Sequence, residues 1–166
     1  MKTISITFSL IFFFLFSIGF LYAQEQNTGT ETVLEDVTQW FDNFFQDKSN
    51  DVDVLLDRGN ELFGLGKYEE ALQWYDKALE IESKYVEALS NKGSALEKLG
   101  KYEEALQWYD KALGIEPDFV ITLHNKGAVL GTLGKYQEAI EWFDKVLKIN
   151  PNHLDALDDK GNALSN

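Results

Sequence analysis

Apolar side chains recur every three or four residues through most of the chain, as they do on one face of an amphipathic helix. They mark one helix in residues 52–65 and a second in residues 68–82, and Gly66 separates the two. Glycine relieves the backbone at the end of a helix. The pattern therefore predicts two helices joined by a tight turn, which is a helical hairpin.

The same pair of patterns recurs twice more, each time 34 residues further along the chain. The shared block reads LGKYEEALQWYDKALEIE in residues 65–82, LGKYEEALQWYDKALGIE in residues 99–116, and LGKYQEAIEWFDKVLKIN in residues 133–150. We therefore predict an all-helical body without β-sheet. Its hairpins should lie at about residues 52–83, 86–116 and 120–150, followed by a single helix from about Leu154.

A helical hairpin that repeats every 34 residues resembles the tetratricopeptide repeat family. A small residue four positions before an aromatic one, and a closing proline, match the family at Ala71-Tyr75, Ala105-Tyr109, Ala139-Phe143, Pro117 and Pro151. The resemblance implies an all-α, right-handed α-solenoid of about three and a half hairpins. Its repeats would be residues 52–85, 86–119 and 120–153, and residues 154–166 would form a partial repeat that caps the array.

One departure from the family concerns a position that often holds leucine. Basic residues occupy it here, at Arg58, Lys92, Lys126 and Lys160. Substitutions of this kind are common in such repeats, and they leave the predicted fold unchanged.

Small and aromatic residues recur at fixed places in each repeat. A residue with almost no side chain lets two helices approach closely, and an aromatic ring can fill the space between neighbouring hairpins. We expect these residues to pack the repeats: Gly59, Ala71, Tyr75, Gly93, Ala105, Tyr109, Gly127, Ala139, Phe143 and Gly161. In the last helix we expect Leu157 and Leu164 to face inward and the polar residues to form a solubilising outer face.

The N-terminus carries an uncharged run from Thr3 to Ala23, which follows Lys2. Residues 1–23 are either a cleaved signal peptide or a signal anchor. In both cases the acidic residues beyond the run place the body outside the cytoplasm. The protein would be secreted, or tethered to the membrane by residues 4–22.

Residues 24–50 combine a polar linker with an amphipathic helix, which precedes the solenoid. The helix carries an aromatic stripe that includes Trp40, Phe41 and Phe44. We expect it to cover the first hairpin, because soluble proteins rarely expose so large an apolar patch. A partner-docking helix is the alternative, whereas its acidic polar face argues against a membrane-surface helix.

Composition and spacing argue against catalysis. The chain has no cysteine, so it has neither a thiol nucleophile nor a disulfide. His124 and His153 each lack a second histidine or a cysteine at ligand spacing, so we predict surface residues rather than metal ligands. Paired glutamates such as Glu69-Glu70 begin helices, where they favour the helix dipole. We predict no enzyme, no metal and no cofactor.

The net charge of −13 repels nucleic acid and anionic lipid, and it suits a neutral or basic protein partner. In the family, the first helices of the hairpins line a concave groove. The resemblance and the 34-residue period place these candidate binding residues in it: Asp57, Asn60, Asn91, Ser94, His124, Asn125, Asp158 and Asp159.

Asn91 and Asn125 match an asparagine ladder with which some family members bind an extended peptide. An asparagine side chain can pair with both the amide and the carbonyl of such a peptide. Some chaperone-binding members hold a terminal carboxylate with several groove lysines and arginines. That clamp is not present here, because Lys98 is the only cation predicted in the groove.

These patterns predict an extracytoplasmic module that binds a peptide or protein segment in its groove. The alternative function is structural. The aromatic N-terminal helix or the ends of the array would then join copies of the chain or scaffold a membrane complex.

Overall fold

The computed structural model describes residues 51–166. The predicted signal sequence, linker and aromatic helix lie outside the described residues. Seven α-helices and no strand occur within residues 51–166: α1 Val52–Gly64, α2 Tyr68–Ile81, α3 Val86–Lys98, α4 Tyr102–Ile115, α5 Val120–Thr132, α6 Tyr136–Ile149 and α7 Leu154–Leu164. The predicted all-helical solenoid of hairpins is confirmed. None of these seven helices has the length and apolar character needed to cross a membrane.

Each hairpin turn is built on a glycine with a positive φ. Gly66, Gly100 and Gly134 have φ values of 74°, 74° and 73°, in the left-handed region that other residues avoid. The amide of the next residue then donates to a carbonyl five residues back, as Lys67 does to Leu62 at 2.9 Å. This Schellman motif ends the first helix of each hairpin and starts the return.

Within each hairpin an aromatic ring of the second helix lies directly on a glycine of the first. A Cβ atom added to Gly93 would lie 2.5 Å from Cε1 of Tyr109. The equivalent distances are 2.4 Å for Gly59 with Tyr75 and 2.6 Å for Gly127 with Phe143. Only glycine allows this approach, which brings the two helices together.

The same rings reach the next hairpin. Tyr75 is buried in one cluster with Ala88 and Ala95, which belong to the second hairpin. The alanines that recur with the repeat, Ala71, Ala105 and Ala139, are fully buried in the same clusters as the rings. One aromatic side chain therefore packs its own hairpin and also stacks it on its neighbour.

Gly161 differs from the other predicted packing residues. Nothing lies within 4 Å of a Cβ added there. The reason is that no aromatic second helix follows α7 within the described residues.

The basic residues at the leucine position link consecutive hairpins. Lys92 forms an ion pair with Asp76 of the preceding hairpin, and its Nζ lies 3.8 Å from the ring centroid of Trp108. Lys126 does the same with Asp110, and its Nζ lies 3.9 Å from the Trp142 ring. The aliphatic stem of such a lysine can be buried while a carboxylate and an aromatic face hold the ammonium group.

The single helix predicted from about Leu154 is present, but the prediction that Leu157 and Leu164 face inward is wrong. Leu157 and Leu164 are 45% and 65% exposed, whereas their equivalents Leu123 and Leu130 are 1% and 2% exposed. In the earlier hairpins a second helix covers this face, and within residues 51–166 none follows α7. The helix instead buries small residues such as Ala156 in the cluster that contains Phe143.

The glycine contacts generate a stability prediction. Gly93→Ala should lower the free energy of unfolding by about 1–3 kcal/mol, because the new methyl group overlaps the buried ring of Tyr109. The better helix propensity of alanine, about 1 kcal/mol, offsets part of this cost. Chemical denaturation of the full chain measures the difference.

Gly114→Ala is the matched control, because this glycine is also helical but has nothing within 4 Å of an added Cβ. We expect it to be neutral or stabilising. Equal effects of the two substitutions would show that the ring contact does not limit the helix approach.

Candidate functional site

Two clefts lie along the face formed by the first helices of the hairpins, and we call them together the groove. The first cleft has a volume of about 430 Å³ and is lined by Asn60, Phe63, Tyr75, Asn91, Ser94, Glu97, Lys98 and Asn125. The second has a volume of about 330 Å³ and is lined by Ala128, Gly131, Thr132, Tyr136, Phe143, Asp159, Asn162, Ala163 and Asn166.

The structure brings most of the predicted groove residues together. Asn60, Asn91, Ser94 and Asn125 line the first cleft, and Asp159 lines the second. The other three predicted residues, Asp57, His124 and Asp158, are not among the lining residues of either cleft. Their role in binding, like that of the lining residues, stays a prediction.

Hydrogen bonds between hairpins hold the asparagine side chains. Asn91 Nδ2 donates to Asn60 Oδ1 at 2.8 Å, and the Tyr75 hydroxyl donates to the same oxygen at 3.0 Å. One repeat further on, Asn125 Nδ2 donates to Ser94 Oγ at 3.2 Å. These bonds orient the ladder. An asparagine amide has two N–H donors and a carbonyl oxygen, so each residue keeps further capacity for a ligand.

Tyr75 lines the first cleft, and the Tyr109 hydroxyl group is hydrogen-bonded to the lining residues Ser94 and Glu97. Burial raises the pKa of Tyr75 to about 12. Burial, followed by the charge of Glu97, raises the pKa of Tyr109 well above its usual value. The Tyr109 hydroxyl lies 2.9 Å from Glu97 Oε2 and 3.2 Å from Ser94 Oγ. Both phenols therefore stay protonated at neutral pH and serve as fixed donors.

The floor changes character along the groove. The third repeat has Phe143 where the first two have tyrosine, and small Ala128 and Gly131 lie beside it in the second cleft. The Phe143 ring has no hydroxyl group, so it offers apolar contact where a tyrosine would offer a hydrogen bond. The second cleft therefore combines an apolar floor with polar side chains such as Asp159 and Asn162.

The groove has a negative charge balance. Lys98 is the single basic side chain among the lining residues of the two clefts, and its Nζ lies 3.5 Å from Glu97 Oε1. Glu97 and Asp159 contribute carboxylates to the clefts. Exposed Asp57 on α1 and Asp158 on α7 add negative charge on first helices. A cluster of cations for a terminal carboxylate does not occur in these clefts.

The two histidines form a pair that the sequence did not predict. Their rings stack with centroids 5.3 Å apart, and His124 Nε2 lies 3.0 Å from Asp159 Oδ2. His153 Nδ1 accepts a hydrogen bond from the Ala156 amide and so caps α7. The repeat register gave no signal for this pair, because the equivalent places one repeat earlier hold Ser90 and Phe119. Among residues 51–166, no group of three side chains is arranged to hold a metal ion.

Comparison with known families places the repeat in residues 59–153. The model of the TPR repeat matches residues 59–100. The model of the tetratricopeptide repeat matches residues 86–119 and 120–153. No curated protein matches the sequence.

Solved structures with the same fold include domains that hold peptides. The first TPR of Spaghetti (RPAP3), bound to the HSP90 peptide SRMEEVD, is 26% identical over 69% of this chain and 90% of that one, with a TM-score of 0.67. The second TPR domain of human RPAP3, in complex with the HSP70 peptide SGPTIEEVD, is 29% identical over 64% and 89%, with a TM-score of 0.61. The Arabidopsis OM64 TPR domain is 21% identical over 68% and 93%, with a TM-score of 0.65, which supports the fold alone.

Proposed function

The chain belongs to the tetratricopeptide repeat family, and on that premise we propose that it binds an extended protein segment in the groove, outside the cytoplasm, without catalysis. A role in protein–protein interaction agrees with the RPAP3 domains, which hold chaperone peptides. The observation that carries the proposal is the oriented pair Asn91 and Asn125 in the first cleft.

The two asparagines are suited to contact a peptide backbone. They lie one repeat apart, and a bond to the preceding hairpin fixes each side chain before a ligand arrives. Fixed groups lose less entropy on binding than mobile ones, so they contribute more to affinity. Each amide can pair with the backbone of an extended segment regardless of that segment's side chains.

The negative charge of the groove favours a ligand whose charge differs from that of the peptides held by the RPAP3 domains. SRMEEVD and SGPTIEEVD end in two glutamates, a valine and an aspartate. A groove with Glu97 and Asp159 and a single lysine would repel such a sequence. We therefore propose a neutral or basic partner segment. Electrostatic attraction should raise its association rate and should fade as salt is added.

The extracytoplasmic location rests on the sequence of residues 1–23. Protease added to intact cells should degrade the repeats if the chain is anchored, and the culture medium should contain them if it is released. Full protection of the repeats, with none in the medium, would place the body in the cytoplasm. The N-terminal mass decides between a cleaved signal and an anchor.

The binding proposal predicts the effect of removing the two asparagine side chains. Peptides selected from a random display library on the full chain should be neutral or basic. Asn91→Ala combined with Asn125→Ala should weaken their binding about tenfold, or 1.4 kcal/mol, because two backbone contacts are lost. Isothermal titration calorimetry measures the affinity.

Gln107→Ala is the control, because this residue is exposed on α4, a second helix. The affinity of this variant for the selected peptides should stay unchanged. Thermal melting must show that all variants are folded at the titration temperature. Selection of acidic peptides would contradict the charge argument, and unchanged affinity of the double variant would move recognition away from the first cleft.

A further inference from the structure

The last helix presents an apolar face, and the equivalents of its Leu157 and Leu164 are buried in every earlier hairpin. Leu154 is 73% exposed, and Leu157 and Leu164 are exposed beside it. Gly161 has open space where Gly127 holds the ring of Phe143. Helix α7 is therefore the first helix of a hairpin whose second helix is not among the described residues.

Lys160 keeps the ion pair of its equivalents Lys92 and Lys126 but has no tryptophan contact among the described residues. It binds Asp144 of the preceding hairpin at 2.5 Å, as Lys92 and Lys126 bind their own aspartates. Those two lysines also lie on a tryptophan ring of their own second helix. No tryptophan lies on Lys160 among residues 51–166. The covering helix should thus carry a tryptophan, followed by an aromatic residue for Gly161.

The chain contains such a sequence ahead of the array. Residues 39–42 read QWFD, and the same place in the following repeats reads QWYD in residues 73–76, QWYD in residues 107–110 and EWFD in residues 141–144. The offset is 34 residues, so Val37 takes the place of Ala71, Ala105 and Ala139. Residues 32–48 therefore have the register of a second helix.

This segment has no first helix of its own type before it. Subtracting one repeat from Gly59 leads to Glu25, and subtracting one repeat from Leu62 leads to Thr28. A glutamate cannot accept an aromatic ring against its backbone, and a threonine does not supply the apolar contact. Residues 32–48 thus have the register of a second helix without a matching first-helix pattern in the preceding residues, and no second helix follows α7 among the described residues.

We propose that residues 32–48 of one copy pack on α7 of a second copy and complete a hairpin between them. By the repeat register, Phe41 would lie on Gly161 and Trp40 on Lys160. The two partner surfaces are different parts of the chain, so the contact is heterologous and joins copies head to tail. Such contacts give closed rings or open filaments, depending on the rotation between copies.

An engineered disulfide between two copies tests the proposed contact between residues 32–48 and α7. A Cβ added to Gly131 would lie 3.9 Å from Cβ of Ala139, and the equivalent pair across the proposed interface is Ser165 with Val37. That separation lies within the range of about 3.5–4.5 Å found in disulfides. The chain has no cysteine, so any cross-link comes from the introduced pair.

Two full-length copies with different tags are expressed together, one with Val37→Cys and the other with Ser165→Cys. After oxidation of whole cells, a non-reducing gel should show a dimer that carries both tags and disappears with reductant. The control pairs Val37→Cys with Gln107→Cys, which is exposed in the middle of the array. A yield no higher than that of the control would overturn the proposal.

Two further variants distinguish the remaining arrangements. A copy that carries both cysteines should form a ladder or a closed oligomer, whereas a disulfide formed only within one chain would overturn the proposal in favour of self-coverage. Leu157→Asp should reduce the cross-link about tenfold or more, because an unpaired carboxylate would be buried in the apolar contact. Leu157 is exposed in the single chain, so this change leaves the fold intact. An unchanged yield would exclude the leucine face as the interface.

Discussion

The array depends on one contact, in which an aromatic ring of the second helix lies on a glycine of the first. The ring fixes the distance between the helices of a hairpin and, because it also reaches the next hairpin, it fixes the stacking as well. In the first repeat the same ring, Tyr75, also lines the groove, and in the second the Tyr109 hydroxyl group bonds the lining residues Ser94 and Glu97. A packing residue thus also determines what the groove can bind.

The sequence predicted those parts of the structure that follow from period and residue size. The spacing of apolar residues located every helix between Val52 and Leu164, and the glycines at 66, 100 and 134 located the turns. The same 34-residue register identified the glycines and the aromatic residues that pack the repeats, whereas the contact of each ring with the glycine of its own hairpin was seen only in the structure. Each of these features depends on residues within one hairpin or on an identical neighbour.

Features that depend on the angle between hairpins could not be predicted from the sequence. The pairing of Lys92 with Asp76 is an example, because the lysine looked like a simple departure from leucine. The bonds of Asn91 to Asn60 and of Asn125 to Ser94 likewise join different repeats. Leu157 and Leu164 were misplaced for another reason. Periodicity shows that a face is apolar, but it does not show whether a helix covers that face.

Joining of copies through the exposed face of α7 would also affect ligand binding in the groove. If copies join head to tail as proposed, the groove of one continues toward that of the next, and neighbouring clefts present equivalent residues in series. A partner with several extended basic segments would then bind with an avidity above its affinity for one groove. The excess negative charge would favour association of such a partner at low salt and would disfavour acidic chaperone-type peptides.

The central claim is that the face of the first helices, built by the ring-on-glycine contacts, is the ligand-binding surface. Hydrogen exchange of the full chain, with and without a saturating basic peptide, tests it directly. We predict slower exchange in α3 and α5, whose Asn91 and Asn125 line the first cleft, and little change in α2, α4 and α6 away from it. Protection confined to the second helices would contradict the claim.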